Sequence, residues 1–146
     1  MMATPLQITF DCRDPARQAA FWAAALHYVV EAPPGGYATW EAWAQAMGIP
    51  REHWNDAASA IDPAREGPRL FFQKVPEGKT AKNRVHLDLN VSGGHLVSPE
   101  ERKRQVLAEV ARLKALGADD RRGAVDQDGE FWVRMNDPEG NEFCVQ

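Results

Sequence analysis

This chain of 146 residues has little cysteine, no long apolar run and no net positive charge, and each of these facts excludes a class of protein. Two cysteines, Cys12 and Cys144, are too few for a disulfide framework and are not spaced as a zinc knuckle. The net charge is −4, and the one basic cluster, Lys79, Lys82 and Arg84, is too small for a nucleic-acid groove. We therefore expect two thiols in a reducing compartment and no nucleic-acid partner.

No apolar run approaches the length of a membrane span, and Asp11 and Arg13 interrupt the first apolar stretch before it could be a signal peptide. Apolar residues at 44% and charged residues at 26% are values typical of a globular protein. We expect a soluble, cytoplasmic protein with no membrane partner. The length allows one ordinary domain, or two small modules that share a core.

A turn that feeds a strand occurs twice in the sequence, in residues 62–73 and in residues 137–146. Both copies run Asp-Pro, Glu-Gly, one further residue and then a strand that ends in Gln, and the earlier turn has two extra residues. Asp-Pro starts such a turn, and Gly140 and Asn141 tolerate a positive φ. The repeat predicts one module used twice, with a site between the copies.

The first half of the chain predicts a strand, a helix and three further strands. Residues 7–12 alternate, so that Gln7 and Asp11 lie on a polar face. Asp14 is a helix N-cap and Pro15 suits the first helical position. Further strands are expected at residues 28–30, 58–61 and 69–75.

Residues 38–57 break this pattern and predict a helical insertion between strands. They contain Trp40, Trp43 and Trp54, three of the five tryptophans. In one interpretation the segment is a hydrophobic lid packed on the sheet. In the other, a tryptophan ring lines a ligand pocket, because aromatic side chains are common pocket walls.

The second half repeats the order of elements. Residues 85–91 predict a strand that places His86, Asp88 and Asn90 on one face, with Val85 among the apolar residues of the other. Ser98 opens a capping box, and Gly117 ends the helix that follows. That helix is expected to bury Val106, Leu107, Val110 and Leu113. A weak edge strand within residues 118–129, a strand at 131–135 and the terminal strand complete the half.

The chain is therefore predicted to be one α+β domain, residues 1–146, built from two βαβββ modules at residues 5–76 and 84–146. Placed edge to edge, the modules form a curved mixed sheet with a concave cup. Aligning the two copies puts Gln7 on His86, Thr9 on Asp88, and Phe71 on Cys144.

Three motifs support a family resemblance: Asp-x-Arg-Asp-Pro-Ala-Arg followed by Phe-Trp, then His-Leu-Asp-Leu, then Asp-Pro-Glu-Gly-Asn-Glu-Phe-Cys. In this order they resemble the vicinal oxygen chelate superfamily, and its glyoxalase-like and bleomycin-resistance-like proteins in particular. The resemblance covers essentially the whole chain and implies the fold. It leaves the reaction open, because the superfamily includes isomerases, dioxygenases, thiol transferases and binding proteins.

The resemblance also implies where a metal would bind. The four ligand positions of metal-dependent members fall on Gln7, Phe71, His86 and Cys144. Phe71 cannot bind a metal, and a Cys144 thiolate favours zinc or another soft ion over a hard one. We therefore expect no standard metal site. If a divalent ion (Zn, Ni or Fe) binds, its candidate ligands are Gln7, His86, Glu142 and Cys144, with Asp11 and Asp88 as possible substitutes.

Two functions stay open. In the first, the protein binds a small molecule in the cup around His86, with no need for metal. In the second, it is a metal-dependent lyase, isomerase or dioxygenase-type enzyme that acts on a small oxygenated compound. Without a metal, His86 is a candidate general base and Cys144 a candidate nucleophile; their structural interpretations are a hydrogen-bonded histidine and a small buried hydrophobe. The predicted ligand-binding residues are Gln7, Asp11, Trp40, Trp43, Phe71, His86, Asp88, Glu142 and Cys144.

The partner of the chain is expected to be a second copy of itself. Related two-module proteins often pair so that a module from each chain completes a cup. Exposed strand edges and apolar helix faces would support such a homodimer.

Overall fold

The computed structural model describes all residues, Met1–Gln146, and confirms the predicted α+β fold with two modules in one chain. The chain divides into two compact units, Met1–Gly78 and Lys79–Gln146. Each unit has one four-stranded mixed sheet and one long helix. No helix in the structure is long and apolar enough to cross a lipid bilayer. The predicted cup stays a prediction.

The elements of the first unit are β1 (Gln7–Cys12), α1 (Pro15–Leu26), β2 (Val29–Val30), α2 (Trp40–Ala46), β3 (Ala57–Ile61) and β4 (Arg69–Lys74). Short 3-10 helices at Pro34–Gly36 and Arg51–His53 flank α2. The sheet order is β1-β4-β3-β2, with β1 parallel to β4 and the other pairs antiparallel. The insertion expected at residues 38–57 therefore contains α2 and one 3-10 helix.

The elements of the second unit are β5 (Leu87–Leu89), α3 (Pro99–Ala115), β6 (Ala124–Gln127), β7 (Glu130–Asn136) and β8 (Glu142–Val145), with a 3-10 helix at Gly94–Leu96. The sheet order β5-β8-β7-β6 repeats that of the first unit. Again the first and last strands of the module pair in parallel, and the other pairs are antiparallel. The weak edge strand expected within residues 118–129 is β6.

Both long helices start at the predicted caps. The Asp14 carboxylate accepts the N–H of Arg17 at 3.2 Å, and Pro15 is the first residue of α1. The Ser98 hydroxyl accepts the N–H of Glu101 at 3.1 Å at the start of α3. These contacts satisfy N–H groups that have no partner inside the helix, which fixes where each helix begins.

Each helix covers one face of its sheet. In the first unit, Phe10 lies between Phe72 and Trp22, with ring centroids 5.1 and 5.3 Å away, and α1 packs on β3 and β4. In the second unit, α3 packs on β7 and β8, and its buried residues include Val106 and Leu113. The apolar face of each sheet is thus occupied, which leaves the opposite face for function.

Two expected core residues are exposed. Leu107 is 45% exposed because it lies one position, about 100° of turn, beyond Val106 and outside the stripe that faces the sheet. Val85 is 81% exposed because β5 is shorter than expected and contains only Leu87–Leu89. In both cases the apolar pattern of the sequence extends beyond the part of the element that packs: beyond the buried stripe of α3, and beyond the paired residues of β5.

The internal repeat extends to strand register. Thr9 pairs with Phe71 in the first sheet, and Asp88 pairs with Cys144 in the second. This is the pairing expected from aligning the two copies. The residues that the alignment placed in equivalent positions therefore occupy equivalent places in the two sheets.

The repeated Asp-Pro turns are held by their aspartates. The Asp62 carboxylate accepts the N–H groups of Ala64, Glu66 and Gly67 at 2.8–3.1 Å. The Asp137 carboxylate accepts those of Glu139 and Asn141 at 2.9 and 3.0 Å. One acceptor thus organises several turn donors in each copy, which explains why Asp-Pro marks both.

Glu142, the first residue of β8, anchors the segment that opens the second unit. Its buried carboxylate lies 3.0 Å from the Lys79 ammonium and 2.8 Å from the Arg122 guanidinium, and it accepts the Asn83 N–H at 2.9 Å. Burial alone would raise the pKa of Glu142. The Asn83 N–H and the Lys79 ammonium outweigh burial and lower this pKa to about 2. Glu142 is therefore a structural anion.

The Glu142 contacts predict a pH dependence of stability. Because the pKa is lowered on folding, this carboxylate stabilises the folded state above its usual pKa near 4.5, and the contribution is lost as the pH falls to about 2. Glu142→Gln is expected to lower the free energy of unfolding at pH 7, and the difference from the wild type should shrink between about pH 4.5 and 2. Urea denaturation over this range measures both proteins. The matched control is Glu77→Gln at an exposed position; a difference for Glu142→Gln that does not change with pH contradicts the assignment.

Candidate functional site

Apart from Trp40 and Trp43, which are on α2, the predicted site residues lie on the sheet faces opposite the long helices. In the second unit, Asp88, Cys144 and Arg134 form one cross-strand row over β5, β8 and β7. His86 lies two residues before Asp88 and therefore on the same face. Strand β8 lies between β5 and β7, and its register with each of them places these residues side by side.

Three of these side chains come together. The His86 Nε2 and Asp88 Oδ1 atoms are 3.3 Å apart. One nitrogen, oxygen or sulfur atom from each of His86, Asp88 and Cys144 lies within 4.8 Å of the other two. His86 and Asp88 are exposed and Cys144 is half-buried. A nitrogen, a carboxylate oxygen and a sulfur in this arrangement are a donor set that suits zinc.

The surroundings of Cys144 keep its thiol protonated. Burial, the negative charge of Asp88 and a hydrogen bond with Asp88 raise the pKa of Cys144, and the opposing charges of Arg134 and Lys82 are smaller effects. At neutral pH the side chain is therefore a thiol. This disfavours the thiolate nucleophile considered from the sequence, unless a cation binds beside the sulfur.

Glu142, a candidate ligand from the sequence, is outside this group of donors. Its carboxylate is bound to Lys79 and Arg122, and a metal ion would have to compete with both cations. Asp88, which the sequence suggested only as a substitute ligand, is the third donor of the group, beside His86 and Cys144. The structure thus groups His86, Asp88 and Cys144.

Gln7 and Asp11 make cross-strand hydrogen bonds in the first sheet. The Gln7 Oε1 atom accepts from Arg69 Nη1 at 2.8 Å, and the Asp11 Oδ1 atom accepts from Gln73 Nε2 at 2.7 Å. Both residues are exposed. Each side chain links β1 to β4, which is a structural use of the polar face.

The same face of the first sheet contains a cavity of about 260 Å³. Its walls come from α2 and from the 3-10 helix Arg51–His53, and its floor comes from β3 and β4. The residues that define its chemistry are Trp40, Trp43, Trp54, Ser59, Arg69 and Phe71. The helical insertion is thus both a cover on the sheet and a wall of a cavity.

The tryptophan rings are held by backbone acceptors. The Trp40 Nε1–H donates to the Glu31 carbonyl at 2.7 Å, and the Trp54 Nε1–H donates to the Ile49 carbonyl at 2.9 Å. Trp43 lies edge-to-face against Trp40, with centroids 5.3 Å apart. Fixed donors and ring contacts orient these walls before any ligand binds.

Arg69, which lines the cavity, forms an ion pair with Glu31, and its guanidinium lies over the Phe71 ring, 5.4 Å from the centroid. Arg69 Nε and Nη2 donate to one Glu31 oxygen at 2.9 and 2.6 Å, and the Ser59 hydroxyl donates to the same oxygen at 2.5 Å. Burial would raise the pKa of Glu31, but these hydrogen bonds and the Arg69 charge lower it below its usual range. Glu31 is therefore ionised and offsets the charge of Arg69.

A second polar pair lines the cavity. The His53 Nδ1 atom lies 2.7 Å from Asp56 Oδ2. Sequence reasoning missed this pair and the Arg69–Glu31 pair. Alternation from Phe71 would have placed Arg69 on the cavity face. Glu31 carried no such signal, because it follows a two-residue strand and reaches Arg69 across 38 positions.

Solved structures resemble the whole chain at low sequence identity. FosX, a fosfomycin resistance protein from Listeria monocytogenes, complexed with Mn(II) and 1S,2S-dihydroxypropylphosphonic acid, is 13% identical (TM-score 0.60; 100% of this chain and 90% of that chain). A glyoxalase/bleomycin resistance protein/dioxygenase family enzyme from Burkholderia phytofirmans PsJN is 14% identical (TM-score 0.56; 95% and 94%). The hypothetical protein SA1046 from S. aureus is also 14% identical (TM-score 0.58; 99% and 97%). At these identities the likeness establishes the fold alone.

Sequence comparison gives the family. Among curated proteins, no sequence matches. The family model described as a glyoxalase-like domain matches residues 7–146, nearly the whole chain. This match agrees with the motif order and with the two repeated modules. The chain therefore belongs to the glyoxalase-like domain family of the vicinal oxygen chelate superfamily.

Proposed function

We propose that this protein binds a small aromatic molecule in the cavity of the first unit. The observation that carries the proposal is the wall of three tryptophans, two of them fixed by hydrogen bonds to backbone carbonyls. Phe71 adds a fourth aromatic surface from the floor. Concave, mostly apolar sites with a few placed polar groups are the usual form of a small-molecule site.

The physical argument rests on stacking and preorganisation. Aromatic rings attract a flat ligand through dispersion and ring geometry in addition to the burial of apolar area. Because Trp40, Trp43 and Trp54 are already oriented, less conformational entropy is lost when a ligand binds. Aromatic faces and Arg69 supply the contacts, so affinity should not depend on a divalent ion.

Replacing Trp43 is the direct test of this proposal. Trp43→Ala is expected to weaken the binding of 2-naphthoate, a flat aromatic probe, by about tenfold or more, because it removes one stacking wall. Isothermal titration calorimetry measures the affinity, with and without a chelator, and thermal unfolding checks the fold. The matched control is Trp132→Ala, a tryptophan of the second unit. Equal loss in both variants, or no loss in Trp43→Ala, contradicts the proposal.

A second candidate function is metal-dependent catalysis at His86, Asp88 and Cys144. It is favoured by the close approach of their three donor atoms and by the Mn(II) in the FosX complex. The residues fit a zinc ion better than manganese, which prefers oxygen ligands. A bound cation would polarise an oxygen of a small oxygenated substrate. His86, Asp88 and Cys144 would hold it, whereas the Glu142 carboxylate is bound to Lys79 and Arg122.

Zinc titration tests the second candidate. It requires one Zn²⁺ per chain, with an affinity that rises with pH because the Cys144 thiol must lose its proton. His86→Ala should abolish this binding, and His95→Ala, a histidine outside the three-residue cluster, should not. Calorimetry at two pH values measures the zinc affinity of the wild type and of the two variants. Zinc binding that survives His86→Ala, or no binding in the wild type, excludes this candidate.

We also propose that the protein forms a homodimer and is located in the cytoplasm.

A further inference from the structure

We infer that the ligand of the tryptophan cavity is an aromatic molecule with an oxygen acceptor at one position and a hydrogen-bond donor at another. This inference rests on the proposed function of the same cavity and specifies its ligand class. It comes from the polar residues that line the cavity, Arg69, His53 and Asp56, and from the ion pair of Arg69 with Glu31.

The two polar groups of the cavity belong to different levels of β4. Arg69 is the first residue of β4, and the Lys74 N–H at the other end of β4 donates to the Asp56 carbonyl at 2.8 Å. Five residue steps of strand, roughly 17 Å at about 3.4 Å per residue, separate these backbone points. The Arg69 guanidinium lies over the Phe71 ring, 5.4 Å from its centroid, so its N–H groups are closer to the His53–Asp56 pair than the backbone points are. A ligand that contacts both groups must therefore carry its polar atoms at two separate positions.

The aromatic surfaces of the cavity favour a flat ring. Phe71 and Ser59 pair directly across β4 and β3, and both line the cavity. The Ser59 hydroxyl donates to Glu31 and the Arg69 guanidinium lies over the Phe71 ring, so the floor at this point presents an aromatic ring with a planar guanidinium beside it. Trp40 and Trp43 supply aromatic surface from α2. Stacking on these surfaces selects an aromatic core over an aliphatic or sugar-like one.

Arg69 supplies donors. A guanidinium has five N–H groups, and three of those of Arg69 are used by Glu31 and Gln7. Two N–H groups are left for a ligand, and Glu31 and Gln7 fix their direction. Because Glu31 is ionised, the pair has little net charge. The matching group is therefore an oxygen acceptor, which a carboxylate and an uncharged carbonyl both provide.

His53 supplies an acceptor. The Asp56 carboxylate can only accept, so the proton of a neutral His53 ring lies on Nδ1. The Nε2 atom then has a lone pair for a ligand group. Its partner is a hydroxyl or an N–H at a second position on the aromatic core.

A series of naphthalene probes tests this assignment on the wild-type protein. The complete probe is 6-hydroxy-2-naphthoate. The others lack the hydroxyl (2-naphthoate), the carboxylate (2-naphthol) or both (2-methylnaphthalene), and 6-hydroxy-2-naphthamide replaces the carboxylate by an uncharged carbonyl acceptor. Calorimetry should rank the complete probe first, with a loss of about tenfold for each missing group. If the amide probe binds as tightly as the carboxylate probe, the natural acceptor is of the carbonyl type. If it binds more weakly, the acceptor is a carboxylate; both outcomes support an oxygen acceptor.

Variants identify the residue at each position. Arg69→Met should remove the advantage of 2-naphthoate over 2-methylnaphthalene while leaving the affinity for 2-naphthol unchanged. His53→Phe should remove the advantage of 2-naphthol over 2-methylnaphthalene while leaving the affinity for 2-naphthoate unchanged. Arg17→Met is the charge-matched control, because Arg17 is exposed on α1 and does not line the cavity. Arg69→Lys provides a second variant if Arg69→Met unfolds, since it keeps a charge beside Glu31.

The outcomes separate this inference from the proposed function. If all probes bind with affinities within about threefold of one another and Trp43→Ala weakens them all, the cavity binds aromatic molecules but the polar groups do not select them, and the inference is overturned. If no probe binds, the proposed function fails and the inference with it. A loss of every probe in a folded Arg69→Lys variant also overturns the assigned role of Arg69.

Discussion

Glu31 is the residue on which the first unit's cavity depends. Its carboxylate binds Arg69 and Ser59, its carbonyl accepts the Trp40 indole N–H, and its own N–H donates to the Ser59 carbonyl at 2.9 Å. One residue thus joins a strand edge, the floor of the cavity and its tryptophan wall. The carboxylate is only partly exposed and has a lowered pKa, so it acts as a fixed anion at the point where these parts meet. Loss of this charge would remove the acceptor that Arg69 and the Ser59 hydroxyl share.

The fold was predictable because its signals are local. Asp14 and Ser98 cap helices through hydrogen bonds that span three residues, and the Asp-Pro turns repeat at matched positions. The errors occurred where packing decides. Strand β5 is shorter than its alternating pattern, and Leu107 falls outside the buried stripe of α3 although its neighbour Val106 is inside it. Sequence periodicity describes which residues can be buried, and the neighbouring element determines which ones are.

The candidate sites also combine residues that were predicted from the sequence with residues that were not. Trp40, Trp43 and Phe71 were expected to bind a ligand, and they line one cavity. The polar groups of that cavity come from His53 and Arg69, whose partners lie on the inserted segment or 38 residues away. In the second unit, Cys144 stands at the position equivalent to Phe71 and joins His86 and Asp88. One repeated register thus supports an aromatic floor in one module and a cluster of polar donors in the other.

The most direct test of the account is an NMR titration of the five tryptophan indole N–H signals with 6-hydroxy-2-naphthoate. Ligand in the cavity of the first unit is expected to shift the signals of Trp40, Trp43 and Trp54, which line it. The signals of Trp22, in the core of the same unit, and Trp132, in the second unit, should not move. Shifts confined to Trp132, or saturation with no change at Trp40, Trp43 and Trp54, would contradict the claim that the tryptophan cavity is the ligand site.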